Sequence, residues 1–173
     1  NVDDASAVRT FGQRNVFGEL KQETYFAVIR LDWAFSPVLS VQAFLQPLIS
    51  YGSYTNLKEL HSPRSNEYIK YGTAGTSISY NEADAVYEVK PDPKDPSNSF
   101  TVDNPDFNFK SIRANFVVRW EFMPGSALYL VWTHDKQNFE NPSRHRIGHD
   151  FSSLMQAEPD NVFMLKFSYW FSM

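Results

Sequence analysis

The sequence contains no cysteine. That excludes a disulfide framework and thiolate metal centres, and by itself names no compartment. No apolar run approaches the roughly 20 residues that a membrane-spanning helix needs. The net charge is −4 with a pI near 5.5, so the basic face of a nucleic-acid binder is missing and nucleic acid is not an expected partner. Chemical motifs are missing as well: there is no nucleophile elbow, no phosphate-binding glycine loop and no pair of catalytic carboxylates. The expectation is a non-enzyme without a cofactor. The 173-residue chain opens at Asn1 with no Met, charged n-region or apolar h-region. On this reading its export signal has been cleaved, or the chain starts partway through a longer one.

Aromatic side chains are abundant, at 16% of residues, although the mean hydropathy is only −0.43. A transmembrane β-barrel reconciles the two figures. Half of each strand and all loops are polar, and aromatics gather at the bilayer interfaces. An aromatic-rich soluble β-sandwich that binds sugar satisfies the same composition.

Periodicity separates them better. Tyr25, Ala27, Ile29, Leu31, Trp33 and Phe35 occupy alternate positions, with Arg30 and Asp32 between them. Such period-two alternation marks a strand with one apolar face. Ser36-Pro37 interrupts it, and Leu39, Val41, Ala43, Leu45 and Ile49 resume it, so the two runs form an antiparallel hairpin. Ile112, Ala114, Phe116, Val118, Trp120 and Phe122 share one face of a third run, opposite Arg113, Arg119 and Glu121. Met123-Pro124-Gly125-Ser126 makes a tight turn into a fourth run that is apolar on both faces. In the last run Phe163, Leu165, Phe167, Tyr169 and Phe171 oppose Lys166 and Ser168.

The expected strands are therefore about 24–36, 38–51, 107–122, 127–137 and 161–172, with long polar loops at about 52–106 and 138–160. Such strands are long enough to cross a bilayer when tilted, whereas soluble strands more often stop at about five or six residues. Tight turns at one end and long loops at the other match the periplasmic and extracellular asymmetry of outer-membrane barrels. The C-terminus then falls on the periplasmic side. The fold class is all-β: the C-terminal portion of an antiparallel transmembrane barrel. About five strands are an odd number, whereas bacterial single-chain barrels use even numbers from eight. The segment is thus incomplete alone, and further strands from the same chain or another subunit are expected partners, as is outer-membrane lipid.

Arg30, Asp32, Arg113, Arg119, Glu121 and Lys166 are the candidate lumen-facing charges, expected to form a salt-bridged ladder. Trp33, Phe35, Trp120, Phe122, Tyr169 and Phe171 are the candidate aromatic girdle near the periplasmic turns. The acidic segment from Asn81 to Asp106 fits no EF-hand spacing and reads as a solvated loop. His145 and His149 lie four apart, which needs a helix to bring them together, and Gly148 argues against one. No metal site is expected. Leu57 to Arg64 suggests an inward constriction.

Lys166, Ser168, Tyr169 and Phe171 resemble the C-terminal assembly signal of outer-membrane proteins, with Ser172-Met173 extending past the usual final aromatic. The barrel assembly machinery is therefore an implied partner. Other stretches resemble a more specific family: Phe17-Gly18-Glu19-Leu20, Gln46-Pro47-Leu48-Ile49-Ser50, Leu57-Lys58-Glu59-Leu60 and Pro63-Arg64. Asp106-Phe107-Asn108-Phe109-Lys110-Ser111, Arg119-Trp120-Glu121-Phe122, Pro124-Gly125-Ser126 and Asp160-Asn161-Val162-Phe163 add to the likeness. The family is that of outer-membrane proteins with an N-terminal family-9-type carbohydrate-binding-like domain and a C-terminal barrel domain of unassigned function. The chain is similar to the barrel part. The resemblance implies a barrel that anchors or serves a surface carbohydrate-handling protein and extends to a passage across the membrane. Some members carry a hydrolase label, which no residue here supports. A soluble sugar-binding sandwich and a structural subunit of an outer-membrane assembly are the alternatives.

Overall fold

A computed structural model describes residues 1–92, 98–141 and 146–171. In chain order the strands are β1 (Val2–Asp3), β2 (Gln13–Arg14), β3 (Val16–Phe26), β4 (Ile29–Ser36), β5 (Leu39–Leu60) and β6 (Tyr68–Lys70). They are followed by β7 (Ser77–Asn81), β8 (Val86–Lys90), β9 (Phe100–Asp103), β10 (Phe107–Met123), β11 (Ser126–Glu140), the helix α1 (Ile147–Gln156) and β12 (Pro159–Ser168). The main sheet has the order β12-β11-β10-β5-β3, with β4 and β6 also paired to β5. β7-β8-β9 form a second sheet and β1-β2 a third. The pairings with a defined register are antiparallel. The chain is all-β with one α-helix, and no closed barrel is formed among the described residues.

Two prolines set the tight turns. Ser36 pairs with Leu39 across Pro37-Val38, and Met123 pairs with Ser126 across Pro124-Gly125. Each proline presets φ at the first central position, and Gly125 supplies φ of +78° at the second, the backbone a type II turn requires. A register shift precedes each turn, at Ala34/Ser36 and at Glu121/Met123.

Several expected boundaries change. The run at 24–36 is two strands, β3 and β4, parted at Ala27-Val28. The Ala27 amide donates to the Pro47 carbonyl at 3.2 Å, but Pro47 has no N–H to return, and the ladder breaks there. β5 does not stop near 51 but continues to Leu60. Asn56 adopts φ of +53° within it, and burial passes from the even position Gly52 to the odd positions Leu57 and Glu59. This flip hides the strand from a period-two reading. The supposed loop at 52–106 accordingly holds β6 to β9, and the supposed constriction at Leu57–Arg64 is the end of β5 and the turn after it. The loop at 138–160 holds the end of β11 and α1, which includes Gly148 and His149; His145 lies outside the described residues. No side chain caps α1 at Arg146, so its support is tertiary docking rather than a local signal.

The chain folds as two compact units. The first comprises Asn1–Glu23, Tyr51–Phe107 and Asn141–Ser143. Leu57, Tyr71, Val89 and Phe100 form its core, with Val16, Tyr54, Ile78 and Val102 packed around them. Gly52 is required there, because a Cβ would stand 2.5 Å from the Phe107 ring. Arg14 is buried beside this core. Its Nε donates to Asp4 Oδ2 at 2.6 Å, and Nη1 reaches both Glu59 oxygens at 2.8 Å. The guanidinium also lies 4.6 Å from the centre of the Phe100 ring. Burial, followed by the negative charge of Glu59, pushes the Tyr71 hydroxyl well above the ordinary tyrosine range.

Burial opposes ionisation of Asp4, but the hydrogen bonds from Arg14 and Ser6 outweigh it, so its pKa lies below the usual 3.8. A depressed carboxyl stabilises the fold above its unfolded pKa, and that stability is lost as pH falls through the folded value. Hydrogen-exchange protection of β1 and β2 is therefore expected to weaken below about pH 4. Asp4→Asn should lower the protection at neutral pH and flatten this acid dependence; an unchanged acid profile in the variant would assign the transition to another group.

The second unit comprises Thr24–Ser50, Asn108–Glu140 and Arg144–Met173. Among the described residues its buried hydrophobic side chains are only Ala114, Ala127 and Leu154. Trp33, Phe35, Trp120, Leu130, Phe163, Leu165 and Phe167 are among its large apolar side chains that lie at the surface.

Candidate functional site

The second unit presents two unlike sheet faces, and strand register fixes which residues share each. On one face Arg113 stands opposite Asp135, Asn115 opposite Thr133, Val117 opposite Val131 and Arg119 opposite Tyr129. Tyr129 in turn pairs with Lys166 of β12. Arg113 Nε lies 3.2 Å from Asp135 Oδ2, and Arg119 Nη2 lies 2.6 Å from Glu121 Oε2. Lys166 Nζ stands 5.5 Å from the centre of the Tyr129 ring, and the Arg30 guanidinium 5.7 Å from that of Phe44. Arg30, Asp32, Gln42, Phe44, Asn115 and Val117 line a hollow of about 200 Å³. The expected charged residues thus gather on one face. The described ion pairs among them are Arg113–Asp135 and Arg119–Glu121, while Arg30 and Lys166 rest on aromatic rings.

The other face is a ladder of apolar rungs. Phe116, Trp132 and Phe163 are aligned across β10, β11 and β12, followed by Val118, Leu130 and Leu165, then Trp120, Leu128 and Phe167. Phe116 stacks on Trp132 with ring centres 5.1 Å apart, and Trp132 stacks on Phe163 at 6.0 Å. Phe163, Leu165 and Phe167 are 70%, 68% and 63% exposed. The expected girdle residues fall into two groups. Trp33 and Phe35 stack on each other at 4.7 Å on β4. Trp120, Phe122, Tyr169 and Phe171 join through Phe167, with Phe122–Phe167 at 5.5 Å and Tyr169–Phe171 at 4.7 Å. Of the assembly-signal residues, Lys166 and Ser168 belong to β12; Tyr169 and Phe171 follow its end, where the Trp170 amide donates to Ser126 Oγ at 3.0 Å. At the opposite end of the ladder, Trp132 Nε1 donates to Asn161 Oδ1 at 3.0 Å.

Beyond that end, α1 docks on the same sheet face. Lys110, wholly buried, lies 2.9 Å from Glu140 and 3.7 Å from Asp150. Its Nζ also donates to Asn138 and to Ser153, each at 3.0 Å. Asn108 Nδ2 donates to Asp150 Oδ1 at 2.8 Å. Glu140, His149 and Asp150 bring potential metal-ligand atoms within 4.8 Å of one another. The buried ammonium of Lys110 already serves as the cation for both carboxylates, and a divalent ion would be repelled by it. The cluster fits a helix mooring better than a metal centre.

A family model described as a domain of unknown function, DUF5916, matches residues 1–173. The chain belongs to the DUF5916 family. No curated protein and no solved structure matches it.

Sequence reasoning located the alternating faces of this DUF5916 domain but missed its buried ions. Lys110 and Asp150 carry no local mark of burial, because only the docking of α1 removes them from water. Phe167 was legible on the apolar face but not as the ring that links β10 to the C-terminal aromatics. Trp132 and Asn161 were hidden because β11 reads as apolar on both faces.

Proposed function

We propose that this DUF5916 domain forms strands of an outer-membrane β-barrel, with the ladder facing lipid and the charged face lining a wet interior. One observation carries the reading: Trp120, Leu130, Phe163, Leu165 and Phe167 stand exposed on the ladder face, while Arg113, Arg119 and Lys166 lie on the reverse face. Water would oppose such a belt, since soluble surfaces rarely expose large contiguous apolar patches. Lipid would favour it. The height supports the same reading. From Phe122 to Ile112 is a step of ten residues, about 33 Å along the strand and about 25 Å after a tilt of about 40°. That is the height of an outer-membrane apolar band.

A soluble β-sandwich would bury Phe116, Trp120 and Leu45 between two sheets. None of the three is in the buried core. Among the described residues, β12 has the single neighbour β11 and β4 the single neighbour β5. Unpaired backbone groups in lipid cost several kcal/mol each, so both edges call for further strands from the same chain or a second subunit. The family likeness extends the reading to an anchor for a surface protein that handles carbohydrate.

Membranes carrying the full-length protein test the proposal. The protein should stay in the pellet through urea and alkaline carbonate washes and require detergent for release. Recovery in the soluble fraction without detergent would replace the barrel by the sandwich.

A further inference from the structure

We propose that α1 is a bilayer-interface helix, inserting Ile147, Phe151 and Met155 at the boundary between headgroups and acyl chains while the Lys110 cluster moors it to the sheet. The inference rests on the membrane reading of the ladder and goes beyond it, because a barrel needs no such helix.

Three placements support it. The first is the side of the sheet. Asn108, Lys110, Ile112 and Ala114 alternate with the charged-face residues, so the positions that hold α1 belong to the face that carries the apolar rungs. The second is height. The Lys136 Nζ donates to the Met155 carbonyl at 2.7 Å, and Lys136 pairs with Ile112, the rung at which the apolar band ends. The C-terminal turn of α1 is therefore attached where acyl chains would give way to headgroups.

The third is rotation about the helix axis. Asp150 and Leu154 are buried toward the sheet. His149 flanks them on one side, 3.8 Å from Glu140 at the far end of β11. At about 100° per residue, Phe151 and Met155 emerge on the opposite flank. Ile147, Phe151 and Met155 are 69%, 58% and 38% exposed and form one stripe at the i, i+4, i+8 spacing. Ser152 and Gln156 lie with His149 on the polar side. An exposed apolar stripe opposite a polar side on one helix is the pattern of interfacial binding. Lipid is the partner that accounts for the stripe's height, side and rotation together.

This chain has no cysteine of its own, so once any thiol elsewhere in the full-length protein is replaced by serine, an environment-sensitive fluorophore can be placed at one introduced thiol. The full-length protein, reconstituted in phosphatidylcholine vesicles, would carry it at Phe151→Cys, Ser152→Cys or Leu165→Cys. Nitroxides placed shallow or deep in the acyl chains, and aqueous iodide, serve as quenchers. The expected result is strongest quenching of the 151 label by shallow nitroxide, of the 152 label by iodide and of the 165 label by deep nitroxide. If 165 is quenched from within the bilayer but 151 responds only to iodide, the interface helix is overturned and the membrane reading stands. If 165 responds only to iodide, both fall.

Discussion

Leu130→Arg is expected to weaken folding into phosphatidylcholine vesicles by about 2–4 kcal/mol, the cost of an arginine on the lipid face near the bilayer midplane. That corresponds to roughly a 30- to 700-fold loss in the folding equilibrium. Leu130 occupies the middle rung, between Val118 and Leu165, and is 48% exposed. Substituting it opens no core cavity, so the penalty would report the medium around the side chain. The matched control is one residue away. Val131 lies on the charged face between Val117 and Met164, where an introduced arginine would be hydrated. Val131→Arg should cost less than about 1 kcal/mol, the range of most surface substitutions. Urea titration of the full-length protein refolded into vesicles measures both. A larger penalty at Val131 than at Leu130 would invert the two faces and remove the barrel. Equal small penalties would place both side chains in water.

Much of this architecture is legible in the sequence, for an identifiable reason. β4 and β10 each have one apolar and one polar face, and a two-residue period survives wherever the two faces of a strand differ in this way. The features that escape it are those whose burial depends on contacts distant in sequence. The positive φ at Asn56 exchanges the faces of β5 partway along, so a strand of 22 residues reads as one strand followed by a loop. Leu57, Tyr71, Val89 and Phe100 come from four separated segments, and none carries a periodic signal that announces a shared core. α1 lacks a side-chain cap and contains Gly148; its strongest support is a lysine from β10. The candidate site is legible to the same degree. Alternation brings Arg30, Asp32, Arg113, Arg119, Glu121 and Lys166 to one face, but which of them pair depends on rotamers and register that no spacing encodes.

Replacing Arg14 by Met should destabilise the first unit by about 3–5 kcal/mol, because removing one member of a buried ionic cluster leaves the others uncompensated. The Arg14 side chain is 7% exposed and that of Glu59 9%, so water cannot replace the lost hydrogen bonds without opening the core beside Tyr71 and Phe100. Asp4 is somewhat better solvated, at 16%, and should contribute the smaller share. Met fills much of the same volume, which keeps the cavity contribution low and isolates the electrostatic one. The double variant Arg14→Met/Glu59→Leu should then recover most of the loss, since a buried ionic group exchanged for apolar side chains of similar size is often neutral or stabilising. Hydrogen exchange at β5 residues 57–60 and at β8 in the full-length protein reads this unit separately from the second. A single-variant loss below about 1 kcal/mol, the range of exposed ion pairs, would show that water reaches Glu59. Failure of the double variant to recover would show that the Arg14 contact with the Phe100 ring, rather than charge compensation, holds β2 against the core.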